Sequence, residues 1–184
     1  MMKLNIGCGK TIKEDYINLD IVDYGGNRIH DLNSFPYPFD DNTFDEIFAS
    51  HILEHLGNFH KAATELYRIT KPGGLIIVYG PFFLNTKYFG DPDHKIPFSI
   101  RSFDNYEYIG NRKLKFYEKW KLHHRTNYQG KAQFEILGKK LITSHFPILK
   151  WMDYIVNIEP VIYERFFAGI FSPEEVYFKL RVIK

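Results

Sequence analysis

Three groups of residues in this sequence have types and spacings that could carry chemistry. The first is Gly7-Cys8-Gly9 together with Asp20. Leu4 and Ile6 form a short apolar strand and two glycines break it. Tyr16-Ile17-Asn18-Leu19 makes a second alternation that Asp20 closes. Glycine lets a backbone approach a ligand closely, and a carboxylate can accept hydrogen bonds from both hydroxyls of a ribose. The chemistry implied is the holding of a ribose-bearing ligand. The second group is His51-Ile52-Leu53-Glu54-His55, which spells HxxEH. On a helix His51 and His55 would share a face and could bind zinc, with Glu54 as base. The third is His94, within Asp91-Pro92-Asp93-His94-Lys95, a histidine able to accept a proton near neutral pH.

Spacing narrows the ligand. A dinucleotide fingerprint needs a third glycine where Ile12 stands, and an acid further on than Asp20. Gly9-Lys10-Thr11 spells GKT, but a phosphate-cradling loop needs a glycine five places earlier, where Leu4 stands. Both phosphate readings fail. The HxxEH group sits where a strand, Phe44–Ala49, gives way to a helix, which is the context of a nucleotide-type fold and not of a zinc protease.

Composition sets the frame. At 184 residues the chain is long enough for one domain with a substantial core. Acids and bases are interspersed and the net charge is +2, which gives no electrostatic footprint for nucleic acid. The basic, aromatic-interleaved stretch from Lys113 to Arg125 reads as a solvated face. Cys8 is the sole cysteine, so no intrachain disulfide is available and a reducing compartment fits. No apolar run approaches the ~20 residues of a membrane span, and no leader pattern opens the sequence. The expectation is a cytoplasmic protein.

The elements that must position these residues follow in order. Phe35-Pro36-Tyr37-Pro38-Phe39 is extended, because two prolines at that spacing forbid a helix. Asn58 caps a helix in which Phe59, Ala62, Ala63, Leu66 and Ile69 share one face. Lys71-Pro72-Gly73-Gly74 stops it, and Leu75–Tyr79 is a fully apolar strand. A helix is expected from about Ser102, and a strand at Gln133–Leu137. Helical segments interrupted by Pro160 span Trp151–Phe171, and Glu175–Ile183 alternates as an antiparallel-type strand.

Four motifs then stand in one order: LNIGCGK, INLDI, HDLNSFPYPFDDNTFDEIFASHILEHL and ELYRITKPGGLIIVYGP. Over residues 3–81 this resembles the class I S-adenosyl-L-methionine (SAM)-dependent methyltransferases, of the type 11-like kind. The resemblance implies an α/β fold with a Rossmann-like, doubly wound, mainly parallel sheet and an antiparallel C-terminal strand. It implies SAM as cofactor, with Gly7, Cys8 and Gly9 along its methionine end and Asp20 on its ribose. Asp31 and Leu32 would meet the adenine edge, and Ser50 and His51 would lie under the sulfonium near the methyl acceptor. His94, with His51, is the candidate catalytic residue. No metal ligand is assigned.

Asn5 and Thr11 depart from the family pattern. The ten residues between Gly9 and Asp20 leave the first crossover helix very short or absent. The whole chain, 1–184, is read as one domain, with 82–130 as a cap that supplies the pocket for a small-molecule acceptor. Two other functions fit parts of the sequence: a non-catalytic SAM-binding or partner-binding module of the same fold, and an HxxEH zinc hydrolase.

Overall fold

The computed structural model describes residues 1–108, 132–143 and 149–184. Seven strands make one sheet: β1 (Lys3–Ile6), β2 (Ile17–Asp20), β3 (Arg28–Ile29), β4 (Phe44–Ser50), β5 (Thr70–Pro81), β6 (Phe134–Ile142) and β7 (Glu175–Val182). Their spatial order is β3-β2-β1-β4-β5-β7-β6. β1 to β5 are mutually parallel, whereas β7 lies antiparallel between β5 and β6. This is the expected Rossmann-like sheet. The order reverses at β1, with β2 on one side and β4 on the other, which opens a crevice at the carboxyl ends of these strands.

The link from β1 to β2 contains no helix. Parallel neighbours are ordinarily joined by a dozen or more residues, usually helical, because the chain must cross back over the sheet. Here ten residues, Gly7–Tyr16, make the crossing as turns, and two buried amides hold them. Asn5 Nδ2 donates to Thr11 O (3.0 Å) and to Asn18 Oδ1 (2.9 Å). Asn18 Oδ1 also accepts from Lys13 N (3.0 Å), and its Nδ2 donates to Lys13 O and Tyr16 O. Side-chain amides thus satisfy backbone groups that a helix would have paired internally. Asn5, an apparent departure in sequence, is a structural staple of the shortened crossover.

The helix α1 (Phe59–Ile69) buries Ala62, Ala63, Leu66 and Ile69, and Asn58 Oδ1 caps it by accepting from Lys61 N. Alternate strand positions (Leu4, Ile6, Ile47, Ala49, Ile76, Val78, Phe178 and Leu180) complete the core. An aromatic group of Phe59, Phe98, Phe103 and Phe178 extends it.

Arg68 at the end of α1 fixes the loop that leads toward the crevice. Its Nε and Nη2 bind the two oxygens of Glu65 at 2.9 and 2.7 Å, while Nη1 and Nη2 also donate to Phe39 O and Tyr37 O. Tyr37 N donates to Glu65 Oε2 (2.7 Å). Burial opposes ionisation of Glu65, but the Arg68 guanidinium and the Tyr37 N–H outweigh it and hold the carboxyl below its ordinary range. A lowered folded-state value contributes stability above the unfolded value, and that contribution is lost as pH falls through the folded one. Glu65→Gln is therefore expected to be less stable than wild type at neutral pH, with the gap closing below about pH 4. Urea unfolding across pH 3–7 measures this, and a gap that stays constant would contradict it.

Three expectations need correction. Residues 51–55 do not form a helical turn: His51 has φ +52°, Ile52 has φ −131°, and a 3-10 turn covers Leu53–His55 alone. His51 and His55 consequently do not share a helix face, which removes the geometric premise of the HxxEH hydrolase. From Ser102 onward the described chain forms a 3-10 turn, Asp104–Tyr106, in place of a helix. β6 runs on to Ile142 because antiparallel pairing with β7 continues through a register shift near Gly138. Helices α2 (Thr86–Phe89), α3 (Trp151–Val156) and α4 (Pro160–Phe166) follow, with Pro160 opening α4. The 109–130 part of the predicted cap, including the basic stretch, lies outside the described residues. No helix among the described residues is long and apolar enough to cross a membrane.

Candidate functional site

A cleft of about 140 Å³ opens at the switch in strand order, and Gly7, Asp20, Asp31, Leu32, Ile52 and His55 are among its lining residues. Gly7 and Gly9 both adopt left-handed backbone, with φ of +59° and +49°. This conformation turns the chain straight out of β1 and costs a side-chain-bearing residue about 1–2 kcal/mol. The two glycines differ in surroundings. A Cβ on Gly7 would lie 2.2 Å from Ile52 Cγ1, whereas one on Gly9 would meet none of the described residues within 4 Å. Gly7 is thus a packing contact, and Gly9 borders open space.

Asp20 ends β2 facing that turn. Its Oδ2 accepts from Gly9 N (2.8 Å) and its Oδ1 from Val22 N (3.1 Å). Each carboxylate oxygen keeps a further lone pair, so the anchored group can still accept from a ligand. Cys8 is buried between them. Its N–H is engaged by Leu19 O (3.1 Å) and its carbonyl accepts from Thr11 N. Burial, then the nearby Asp20 charge, pushes the thiol above its ordinary range. Its part is to hold the turn.

Asp31 and Leu32 form the opposite wall. Asp31 Oδ1 accepts from Asn33 N (2.8 Å), a local turn that fixes the carboxylate. Tyr37, buried, donates its hydroxyl to Leu32 O (3.1 Å). Asn33 Oδ1 accepts from Gly57 N (2.7 Å), tying this wall to the segment after β4. The Arg68 clamp on Phe35–Phe39 therefore reaches the cleft through Tyr37.

Ser50 and His51 stand at the carboxyl end of β4, outside the residues that line the cleft. His51 N donates to Tyr79 O (3.0 Å), and the ring lies between Glu175 Oε1 (3.3 Å) and Glu54 Oε1 (3.4 Å). The Glu175 and Glu54 carboxylates raise its pKa to about 9, so at neutral pH it is an imidazolium and not a free base. His94 lies elsewhere. Its Nδ1 is 2.8 Å from Tyr88 O, its ring stacks on Tyr88, and it adjoins His55 with 4.6 Å between ring centroids.

The structure therefore brings Gly7, Asp20, Asp31 and Leu32 into one cleft, joins Gly9 to it through Asp20, and sets Cys8 beneath. Sequence reasoning missed Ile21, His30, Asn33, Ile52 and Leu56 as lining residues. Ile21 was legible as the neighbour of Asp20. Ile52 carried no signal, because its contact with Gly7 depends on the left-handed backbone at His51.

Comparison with known proteins bears on the domain and the fold. Residues 13–78 match the family model described as "Methyltransferase domain". Among curated proteins, the sterol 4-C-methyltransferase strm-1 of Caenorhabditis elegans is 45% identical over 42 residues, 23% of this chain and 13% of that protein. The ubiquinone/menaquinone biosynthesis C-methyltransferase UbiE of Pseudoalteromonas translucida is 31% identical over 99 residues, 48% of this chain and 36% of that one. The chain thus spans 13% and 36% of the length of these two relatives. Among solved structures, a SAM-dependent methyltransferase from Archaeoglobus fulgidus superposes with a TM-score of 0.55 at 18% identity, covering 98% of this chain and 85% of that one. The [4+2]-cyclase SpnF gives 0.57 at 15% identity, covering 99% and 74%. Residues 13–78 are thus similar to the methyltransferase domain family, and the chain shares the Rossmann-like fold of these solved structures.

Proposed function

We propose that this chain is a SAM-dependent methyltransferase acting on a small-molecule acceptor with apolar surface. The observation that carries the reading is the carboxylate of Asp20, held on Gly9 N–H at the mouth of the cleft with lone pairs to spare. Open space over Gly9 is where a bound nucleoside would pass without meeting a side chain. In this reading Gly7, Cys8 and Gly9 shape the bed for the methionine end, and Asp20 accepts from the ribose. Asp31 and Leu32 bound the adenine, and Ser50 and His51 lie on the acceptor side.

When bound, SAM supplies an activated methyl group: an acceptor lone pair bonds to the methyl carbon while the carbon–sulfur bond breaks and its electron pair returns to sulfur. The protein's task is then alignment, because holding the reacting atoms at near-attack distance supplies much of such a rate gain. His51, held as an imidazolium by Glu175 and Glu54, acts in the proposal as a fixed cation and not as a base. Where the acceptor must lose a proton, we assign its uptake to His94. Nδ1 of that ring donates to Tyr88 O, so in the neutral ring Nε2 carries the lone pair.

An apolar acceptor is supported by Leu84 and Phe89, exposed in the segment that follows β5, and we assign the described part of that segment, 82–108, to its pocket within a single domain. The names of the relatives, a sterol and a quinone C-methyltransferase, point to the same class of acceptor. SpnF, a cyclase by name, has a comparable fold, so the reading rests on the site and on residues 13–78 and not on fold. Incubation with methyl-labelled SAM and panels of sterols, demethylated quinols and phenols tests it. Label in an extractable product is expected. Label retained in SAM across all panels, although SAM binds, would favour a non-catalytic binding module.

A further inference from the structure

Glu54, His55 and His94 each present a ligand atom, and these atoms lie within 4.8 Å of one another. Two segments build this cluster. Glu54 and His55 are consecutive in the 3-10 turn after β4, while His94 arrives from the loop beyond α2. The loop is pinned at that point, since Lys95 N and Ile96 N both donate to Glu54 O, at 2.7 and 3.0 Å.

Two features of the cluster point to a ligand. The side chain of Glu54 is fully buried, and neither carboxylate oxygen accepts a hydrogen bond from the described residues. The nearest cation described is His51, whose Nδ1 is 3.4 Å from Oε1. That imidazolium, shared with Glu175, offsets the charge on the Oε1 side only; Oε2 has no partner among the described residues, and a buried carboxylate oxygen left so is costly. His94 supplies the second feature. Its side chain is 8% exposed, and a carbonyl oxygen can only accept, so Nδ1 is the donor and in the neutral ring the lone pair is on Nε2. Metal-bound histidines are held in this way, with the non-ligating nitrogen donating to a carbonyl that fixes ring and tautomer. Asp91 Oδ2 approaches Nε2 no closer than 3.7 Å.

We propose that Glu54, His55 and His94 bind a divalent transition-metal ion, with Zn²⁺ the first ion to test. Two imidazoles and one carboxylate are a ligand set that zinc takes, leaving one position for water. Tetrahedral zinc sets its ligand atoms roughly 3.3–3.5 Å apart at bond lengths of about 2.0–2.2 Å, so small side-chain rotations close the site. The arrangement differs from HxxEH chemistry: His51 is no ligand, and His94 comes from a distant segment. A bound ion would also occupy the Nε2 assigned above to proton uptake, so His94 fills one role or the other.

The test is calorimetric titration of the untagged, chelator-treated chain with Zn²⁺ alone, paired with the visible spectrum of the Co²⁺-loaded chain. Stoichiometric Zn²⁺ binding and tetrahedral-type Co²⁺ bands are expected. His94→Gln and Glu54→Gln should each weaken Zn²⁺ binding by at least the roughly tenfold to hundredfold that loss of an outer-shell partner costs, with His60→Gln unchanged. Glu54→Gln is isosteric, and His94→Gln lies on a loop and decides the matter should the former fail to fold. No saturable binding, or equal affinity in wild type and His94→Gln, would overturn the proposal. Neither readout depends on SAM.

Discussion

Gly7→Ala is expected to destabilise the fold by about 2–5 kcal/mol and to abolish nucleoside binding. Two independent costs add. The residue sits at φ +59°, where a Cβ is strained by about 1–2 kcal/mol. The new methyl would also stand 2.2, 2.5 and 2.7 Å from Ile52 Cγ1, Cβ and Cδ1, separations at which something must move. Ile52 is β-branched, which restricts its χ1, and packs on the core, and its Cβ cannot move by side-chain rotation. Forced overpacking of this kind costs about 1–3 kcal/mol. Because the clash includes Ile52 Cβ, Ile52→Ala would leave part of it, whereas Ile52→Gly removes it. A double-mutant cycle of Gly7→Ala with Ile52→Gly should therefore show favourable coupling in urea unfolding. Stability of Gly7→Ala within about 0.5 kcal/mol of wild type would mean that the turn is not built as described.

Asp20→Ala is expected to weaken SAM affinity by one to two orders of magnitude, about 1.5–3 kcal/mol, as the loss of charge-assisted hydrogen bonds would. The same change strips the acceptors from Gly9 N–H and Val22 N–H, so it also loosens the turn. Asp20→Asn separates the two effects. It keeps an acceptor for Gly9 N–H but loses the charge and half of the accepting capacity, and its affinity should fall between those of wild type and Asp20→Ala. Unchanged affinity in Asp20→Ala would remove this residue from the site.

How far these features could be read from sequence depended on whether their cause is local. The Gly7-Cys8-Gly9 turn, Asp20 at a strand end and the Asn58 cap are set by neighbours in the chain, and all stand where the spacing puts them. The absence of a first crossover helix was legible by counting residues; what replaces it was not. Asn5 and Asn18 meet across two strands, and nothing in either segment alone signals that contact. The 51–55 segment was misread because its composition suits a helix, whereas a left-handed residue at His51 redirects the chain after β4. In sequence His94 is a catalytic candidate on a loop, with no indication of what it packs against. Its burial against Tyr88 and His55 follows from the pinning of its loop on Glu54 O, a tertiary fact. The Arg68 clamp on Phe35–Phe39 was equally invisible, since it joins residues 29 apart in the chain.

The most direct measurement is calorimetric titration of the intact chain with SAM and with S-adenosylhomocysteine, in wild type and in Asp20→Ala. Saturable binding of either nucleoside at about micromolar affinity, some tenfold to a hundredfold weaker in Asp20→Ala, is the expected result. Failure of both nucleosides to bind the folded wild-type chain would contradict the proposed function at its root.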